Sequence, residues 1–172
     1  MLQLVIAPNP KLRIQTKQVK KINHSLTNTL SEMVKLTKTF KDPEGVGLAS
    51  TQVGLTESFF IAKSGEKFIK IINPKIISFG KKTKQYFEGC LSIPNMWGEV
   101  KRYINIKVSY TDETGEAIVK PLKGVLAWIF QHETDHINGI LFPDRVLQQG
   151  GKFYKFTGKD ETGADTFEEI TI

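Results

Sequence analysis

The chain holds one cysteine in 172 residues, which excludes an intramolecular disulfide and the disulfide-stapled secreted scaffolds with it. Cys90 is therefore a buried small hydrophobe, a metal ligand or a nucleophile, and its neighbours must decide. Long apolar runs are also missing. The longest is six residues, Val125 to Phe130, far below the ~18 needed to cross a bilayer, so no membrane partner is expected. The opening, MLQLVIAPNPK, has no basic flank and reaches a Pro-Asn-Pro turn after six apolar residues. It has the form of neither a secretory signal nor a transit peptide, and the expected compartment is the cytoplasm. Acidic residues are scarce in the first 41 positions, where eight lysines and arginines face Glu32 alone. Aromatic residues do not interleave with these lysines, which favours a solvated, solubilising face over a grip on RNA, and no specific DNA binding is expected.

What is present has the size of one domain, with no internal repeat and no linker. Leu26, Leu30, Met33 and Val34 follow Ser25 at helical spacing and predict a helix over 25–39. Strands are predicted at 58–62, 68–74 and 75–79. Another is expected where Ile104, Ile106, Val108 and Tyr110 alternate with polar residues, joined through Asp112-Glu113-Thr114-Gly115 to a strand at 117–121. A second helix is expected over 123–138, closed by Gly139. Beyond Arg145 no period is apparent, so the expected layout is a single domain over 1–147 and an acidic, Gly-rich tail over 148–172. Hairpin-length strand pairs rather than alternating strands and helices make the expected class α+β, with antiparallel strands packed around a central helix bearing an HExxH motif.

That motif is His132-Glu133-Thr134-Asp135-His136. Residues four apart share a helical face, so both imidazoles can bind one ion, with Glu133 beside them to take a proton from a water held there. A catalytic site of this type needs a third protein ligand. The metzincin pattern would place it at 142, which is Phe142, and the downstream glutamate of a thermolysin-like site has only Glu161 as a candidate. Cys90, in Glu88-Gly89-Cys90-Leu91-Ser92-Ile93-Pro94, is left, and one thiolate with two imidazoles suits Fe(II), Zn(II), Ni(II) or Co(II). A third segment, Gly45-Val46-Gly47-Leu48-Ala49-Ser50-Thr51-Gln52, lacks the spacing of a phosphate loop. Its glycines suit a tight turn or a close backbone approach, and Gln52 is a neutral donor suited to an oxyanion.

GVGLASTQ, EGCLSIP and QHETDHINGILF, in this order, resemble the three signature motifs of the peptide deformylases, and APNPKLR and GEVKRYINIKVSYTDETGE extend the resemblance over residues 1 to about 147. The resemblance implies a hydrolase of N-terminal processing in protein biosynthesis. Such an enzyme removes the formyl group from the formyl-methionine of nascent polypeptides and releases formate. It implies Cys90, His132 and His136 as ligands of one divalent ion, Fe(II) in the cell with zinc, nickel or cobalt as substitutes. Glu133 would be the general base, with Gln52 and the Leu91 backbone N–H holding the oxyanion. Val46, Gly47, Val125, Trp128 and Ile129 would border the peptide and its methionine pocket. Glu88 and Arg102 would brace the Cys loop as an ion pair, and Asp135 would orient a ligand histidine. Trp128 stands where a smaller aliphatic residue is usual, so its indole either narrows the pocket or turns into the core. N-formylated nascent peptides are the expected partners. The ribosome is a further candidate, although residues 148–172 carry three lysines against five acidic residues and not the basic helix through which some members dock. A general HExxH peptidase and a non-catalytic binder of chain ends are the competing readings. The first lacks a convincing third ligand, and intact Cys90, Gln52 and Glu133 speak against the second.

Overall fold

The computed structural model describes residues 1–172. Two antiparallel sheets carry most of the chain. The first has five strands, β1 (Gly47–Ala49), β2 (Phe59–Ser64), β3 (Lys67–Phe79), β6 (Asn105–Thr111) and β7 (Ala117–Lys123), adjacent in that order. The second has four, β4 (Thr83–Cys90), β5 (Ile93–Tyr103), β8 (Phe153–Lys159) and β9 (Asp165–Ile170). Three helices, α1 (His24–Lys38), α2 (Gly124–Ile137) and α3 (Phe142–Gln149), complete the fold. None is long and apolar enough to cross a membrane.

The unbroken apolar run at Phe59–Ala62 is explained by helices on both faces of β2. Phe60 and Ala62 pack into one cluster with Ala127, Ile129, Phe130 and Ile137 of α2, while Phe59 and Ile61 join Leu26, Leu30 and Met33 of α1 in another. A strand buried on both faces has no polar side to alternate with. Phe60 and Phe130 meet edge to face at 5.1 Å, an arrangement worth about 0.5–1.5 kcal/mol beyond area burial. β6, by contrast, buries Ile106, Val108 and Tyr110 and leaves Asn105 and Lys107 exposed, as its alternation predicts. Gln131 ties α2 to the second sheet: its side chain accepts from Tyr103 N–H at 3.0 Å and donates to Tyr103 C=O at 2.8 Å.

The first 16 residues hold the three motif segments in place. Val5 N–H donates to Gln52 C=O at 2.7 Å, Ala7 N–H to Ser92 C=O at 2.9 Å, and Thr16 N–H to Ile137 C=O at 3.0 Å. The N-terminal segment, extended on either side of a short 3-10 turn at Pro10–Arg13, thus joins residues far apart in sequence.

Most elements lie where the periodicity places them, with informative differences. Helix α1 is capped by Asn23, whose Oδ1 accepts from Leu26 N–H at 2.9 Å, and not by Ser25. The strands expected at 68–74 and 75–79 are one strand, β3, with a register shift at 72/75 that spans Pro74, which has no N–H to give the ladder, and a second at 76/78. Residues 148–172, expected as a tail, instead finish α3 and form the β8–β9 hairpin, which pairs with β5 at Met96–Gly98. Phe153 is buried there with Val100, Phe142 and Val146, and that satellite core holds the segment down. Its few apolar residues are too widely spaced to show a period.

Candidate metal centre

Cys90 ends β4 at a register shift that follows Glu88. His132 and His136 project from adjacent turns of α2, and α2 lies against β1, which carries Gly47. Cys90 Sγ is 3.3 Å from His136 Nε2, and the donor atoms of Cys90, His132 and His136 all lie within 4.8 Å of one another. His132 Nδ1 is 2.8 Å from Glu88 Oε1, which fixes the ring and leaves Nε2 for the cluster. One thiol and two imidazoles on rigid elements are the donor set of a borderline-soft divalent ion. The residues present fit such an ion.

Gln52 is pinned at both ends. Its Oε1 accepts from Ala49 N–H at 2.9 Å, and its Nε2 donates to Ser92 Oγ at 3.0 Å and to Cys90 Sγ at 3.4 Å. Glu133 is 4% exposed and its Oε2 has no partner, a costly state for a buried carboxylate unless something else is bound beside it. Burial pushes its carboxyl up to about 7. Burial opposes a charge on His132 as well, but its contacts with Cys90 and Glu88 outweigh that and hold its protonation well above the usual imidazole range. His136, buried and facing His132, is pushed well below it.

Behind Cys90, His132 and His136 lies a buried charge network. Arg102 donates to both oxygens of Glu88 at 2.8 and 2.9 Å and to Asp135 Oδ2 at 2.6 Å. Arg145 donates to Asp135 at 2.7 and 3.1 Å. Burial works to raise the Glu88 carboxyl, yet Arg102 and His132 together hold it far below the usual carboxylate range. The expected Glu88–Arg102 pair is thus present, whereas Asp135 does not orient a histidine. It pairs with two arginines, and Glu88 takes the orienting role.

A cleft of about 560 Å³ opens onto these groups, lined by Cys90, His132, Glu133 and Gln52 and, among others, by Val46, Gly47, Leu91, Val125, Trp128 and Ile129. The residues expected to hold the metal, do the chemistry or bind the peptide all border this one space except the buried His136, while Glu88, Arg102 and Asp135 lie behind it. Trp128 combines its two expected orientations. It lines the cleft, while its Nε1 donates to Glu88 Oε2 at 3.0 Å and its ring stacks on Tyr86 at 4.7 Å.

Compared with known proteins, residues 1–151 match the polypeptide deformylase family. The chain belongs to that family. Peptide deformylase of Thermotoga maritima is 38% identical over 146 residues, 85% of this chain and 87% of the relative. That of Agrobacterium fabrum is 34% identical over 161 residues, 90% of this chain and 93% of the relative. Among solved structures, the Thermotoga maritima enzyme superposes with a TM-score of 0.79 at 38% identity, over 84% of this chain and 97% of the other. A deformylase from Synechococcus elongatus, solved in complex with actinonin, superposes with a TM-score of 0.77 at 37% identity, over 84% of this chain and 78% of the other. The mixed helix and antiparallel sheet architecture is that of the deformylases, and this chain is a metal-dependent hydrolase that removes the N-formyl group from nascent peptides.

Sequence reasoning missed some of the residues in and around this cleft. Ser92, which holds the Gln52 amide, was legible only as a neighbour of Cys90. Tyr86, Phe87 and Trp97 carried no periodic signal, because burial does not alternate along β4 or the first half of β5 and becomes regular only from Gly98 to Tyr103.

Proposed function

We propose that Cys90, His132 and His136 hold the divalent ion, Fe(II) in the cell with zinc, nickel or cobalt as substitutes, and that Glu133, Gln52 and the Leu91 N–H carry out the deformylation beside it. The observation that carries this reading is the convergence of one thiol and two imidazoles next to a buried carboxylate oxygen without a partner. Bound there, the ion supplies Lewis acidity, which makes water acidic enough to attack at neutral pH and polarises a carbonyl oxygen.

The residues do the rest. Glu133 accepts a proton as water adds to the formyl carbon, then returns it to the amine as the C–N bond breaks, leaving formate and a free α-amino group. Gln52 is aimed before the reaction starts, since Ala49 N–H and Ser92 Oγ fix its amide, and the second Nε2 hydrogen, which here makes only the long contact to Cys90 Sγ, turns to the developing oxyanion. Leu91 N–H, next to the ligand Cys90, is the second donor. Val46, Gly47, Val125, Trp128 and Ile129 accept the peptide and its first side chain. On this reading the antiparallel strands are packed around a central metal-binding helix, α2. The substrates are N-formylated nascent peptides met in the cytoplasm, and any contact with the ribosome uses a surface other than a basic C-terminal helix.

The test is metal analysis of protein purified without oxygen, paired with formate release from formyl-Met-Ala-Ser. One equivalent of iron and steady formate release are expected, both lost in Cys90→Ala. Full activity of a metal-free Cys90→Ala protein would overturn the reading.

A further inference from the structure

The β8–β9 hairpin begins at Phe153, beyond the residues that match the family, yet it reaches the cleft. Phe156 of β8 and Asp165 of β9 are among the lining residues, together with Phe87 and Trp97 of the neighbouring strands. Phe167 of β9 anchors the hairpin from behind: its ring lies 4.8 Å from Phe87, 5.5 Å from Trp97 and 5.9 Å from Phe156. One residue past Phe156 the ladder slips, with Phe156 opposite Phe167 but Gly158 opposite Thr166, which leaves Thr157 as an extra residue. A bulge of this kind bends its strand and re-aims the side chains beside it. At the far end Lys159 Nζ lies 2.6 Å from Asp165 and 3.3 Å from Asp42, on the loop that forms another part of the rim. The hairpin therefore stands beside the cleft as a wall, held at its base by the satellite core and near its tip by the Lys159 bridge to Asp42.

Two features point to an occupant. Phe87 and Phe156 are each 39% exposed, large aromatic surface left open to one continuous cavity rather than scattered singly. That cavity also holds Glu133 and Gln52, and at about 560 Å³ it has the capacity of sites that bury drug-sized ligands, more than a formylated methionine needs. We propose that the hairpin is a specificity element, in which Phe156 and Phe87 form an aromatic shelf for an apolar side chain at the third or fourth residue of the formylated peptide. The assignment rests on the deformylase reading above. An extended peptide advances ~3.3–3.6 Å per residue, so only residues downstream of the first can leave the metal-side pocket and reach this shelf. Aromatic surface rewards apolar side chains whatever their shape, and the preference is graded rather than absolute.

The experiment measures kcat/KM for formyl-Met-Ala-Leu-Ser and formyl-Met-Ala-Ser-Leu against formyl-Met-Ala-Ser-Ser. In wild-type enzyme, leucine at one of the two positions should raise kcat/KM by about tenfold, and in Phe156→Ala that advantage should fall to about threefold or less. A second readout uses wild-type enzyme alone. A non-hydrolysed peptide carrying benzoylphenylalanine at the same position should, on irradiation, label residues between 153 and 170. An equal leucine advantage in both proteins, or labelling that reaches no residue between 153 and 170 and does not reach Phe87, would overturn the shelf. Failure of the wild-type enzyme to release formate from any of the three peptides would overturn the deformylase reading and the shelf with it.

Discussion

The carboxylate of Glu133 rests against the Cα of Gly47: a Cβ placed on Gly47 would stand 2.6 Å from Oε1 and 3.1 Å from Cγ of Glu133. β1 and α2 approach this closely because position 47 has no side chain, and the backbone of β1 thereby sets the position of the Glu133 carboxylate.

Gly47→Ala is expected to fold, since the group it strikes is the end of a side chain that can rotate away. Its cost falls on catalysis. Displacing a reacting group by about 1 Å lowers turnover on the order of 10²-fold, so kcat should drop by roughly that factor, with metal content unchanged and only a small shift in Tm. Glu133→Ala sets the lower bound, with the ion retained and turnover down several decades. A Gly47→Ala enzyme with wild-type kcat would show that Glu133 is not where the base acts.

Gln52→Leu removes the donor fixed between Ala49 and Ser92. Loss of one oxyanion donor costs roughly 10² to 10³ in kcat, and KM should change little because the ground-state carbonyl makes weaker use of it. Steady-state kinetics on formyl-Met-Ala-Ser separates the two constants. A rise in KM at constant kcat would assign Gln52 to ground-state binding instead.

Glu88 faces four donors: His132 Nδ1, Trp128 Nε1 and two nitrogens of Arg102. Removing one partner of a buried pair costs about 3–5 kcal/mol, because the charge left behind is uncompensated. Removing the group that orients a ligand histidine typically costs 10- to 100-fold in metal affinity. Glu88→Ala should therefore lower Tm by many degrees and lose metal to a chelator faster. Unchanged metal retention in a destabilised Glu88→Ala protein would reduce Glu88 to a structural brace.

How far the sequence carries is clearest at two turns. Asp112-Glu113-Thr114-Gly115 is legible as a hairpin turn, and there Asp112 Oδ1 accepts from Thr114 N–H, Thr114 Oγ1 and Glu116 N–H. The same four residue types recur at Asp160-Glu161-Thr162-Gly163, where Asp160 Oδ1 accepts from the equivalent groups of Thr162 and Ala164. Gly115 and Gly163 both take the left-handed conformation, at φ +90° and +83°. The second turn was as readable as the first, but its flanking strands bury little, so the apolar alternation that reveals a hairpin is absent there. The convergence of Cys90, His132 and His136 beside Glu133 was legible because metal chemistry fixes residue type and spacing. The partner of Asp135 was not, because Arg145 and Arg102 reach it through the tertiary fold, and no local pattern distinguishes an aspartate that orients a histidine from one that pairs with arginines.

Trp128 is tied to both halves of the site. Its indole N–H serves Glu88, its ring stacks on Tyr86, and it lines the cleft one helical turn before His132. Two substitutions separate these roles. Trp128→Phe keeps an aromatic ring over Tyr86 but removes the donor, leaving Glu88 with Arg102 and His132. Metal retention should weaken by less than the 10- to 100-fold of losing an orienting partner outright, and the ranking of peptides by their first residue should hold. Trp128→Ile removes donor and bulk together. It opens the wall of the first side-chain pocket, and because one or two methylenes in an apolar pocket are worth about 1–3 kcal/mol, the preference for formyl-Met over formyl-Ala and formyl-Ser tripeptides should rise by roughly 10- to 200-fold. The measurement is kcat/KM for the three peptides with wild type and both variants, beside the rate of metal loss to a chelator. If all three proteins rank the peptides with the same ratios, Trp128 acts only through Glu88, and its face toward the cleft does not shape specificity.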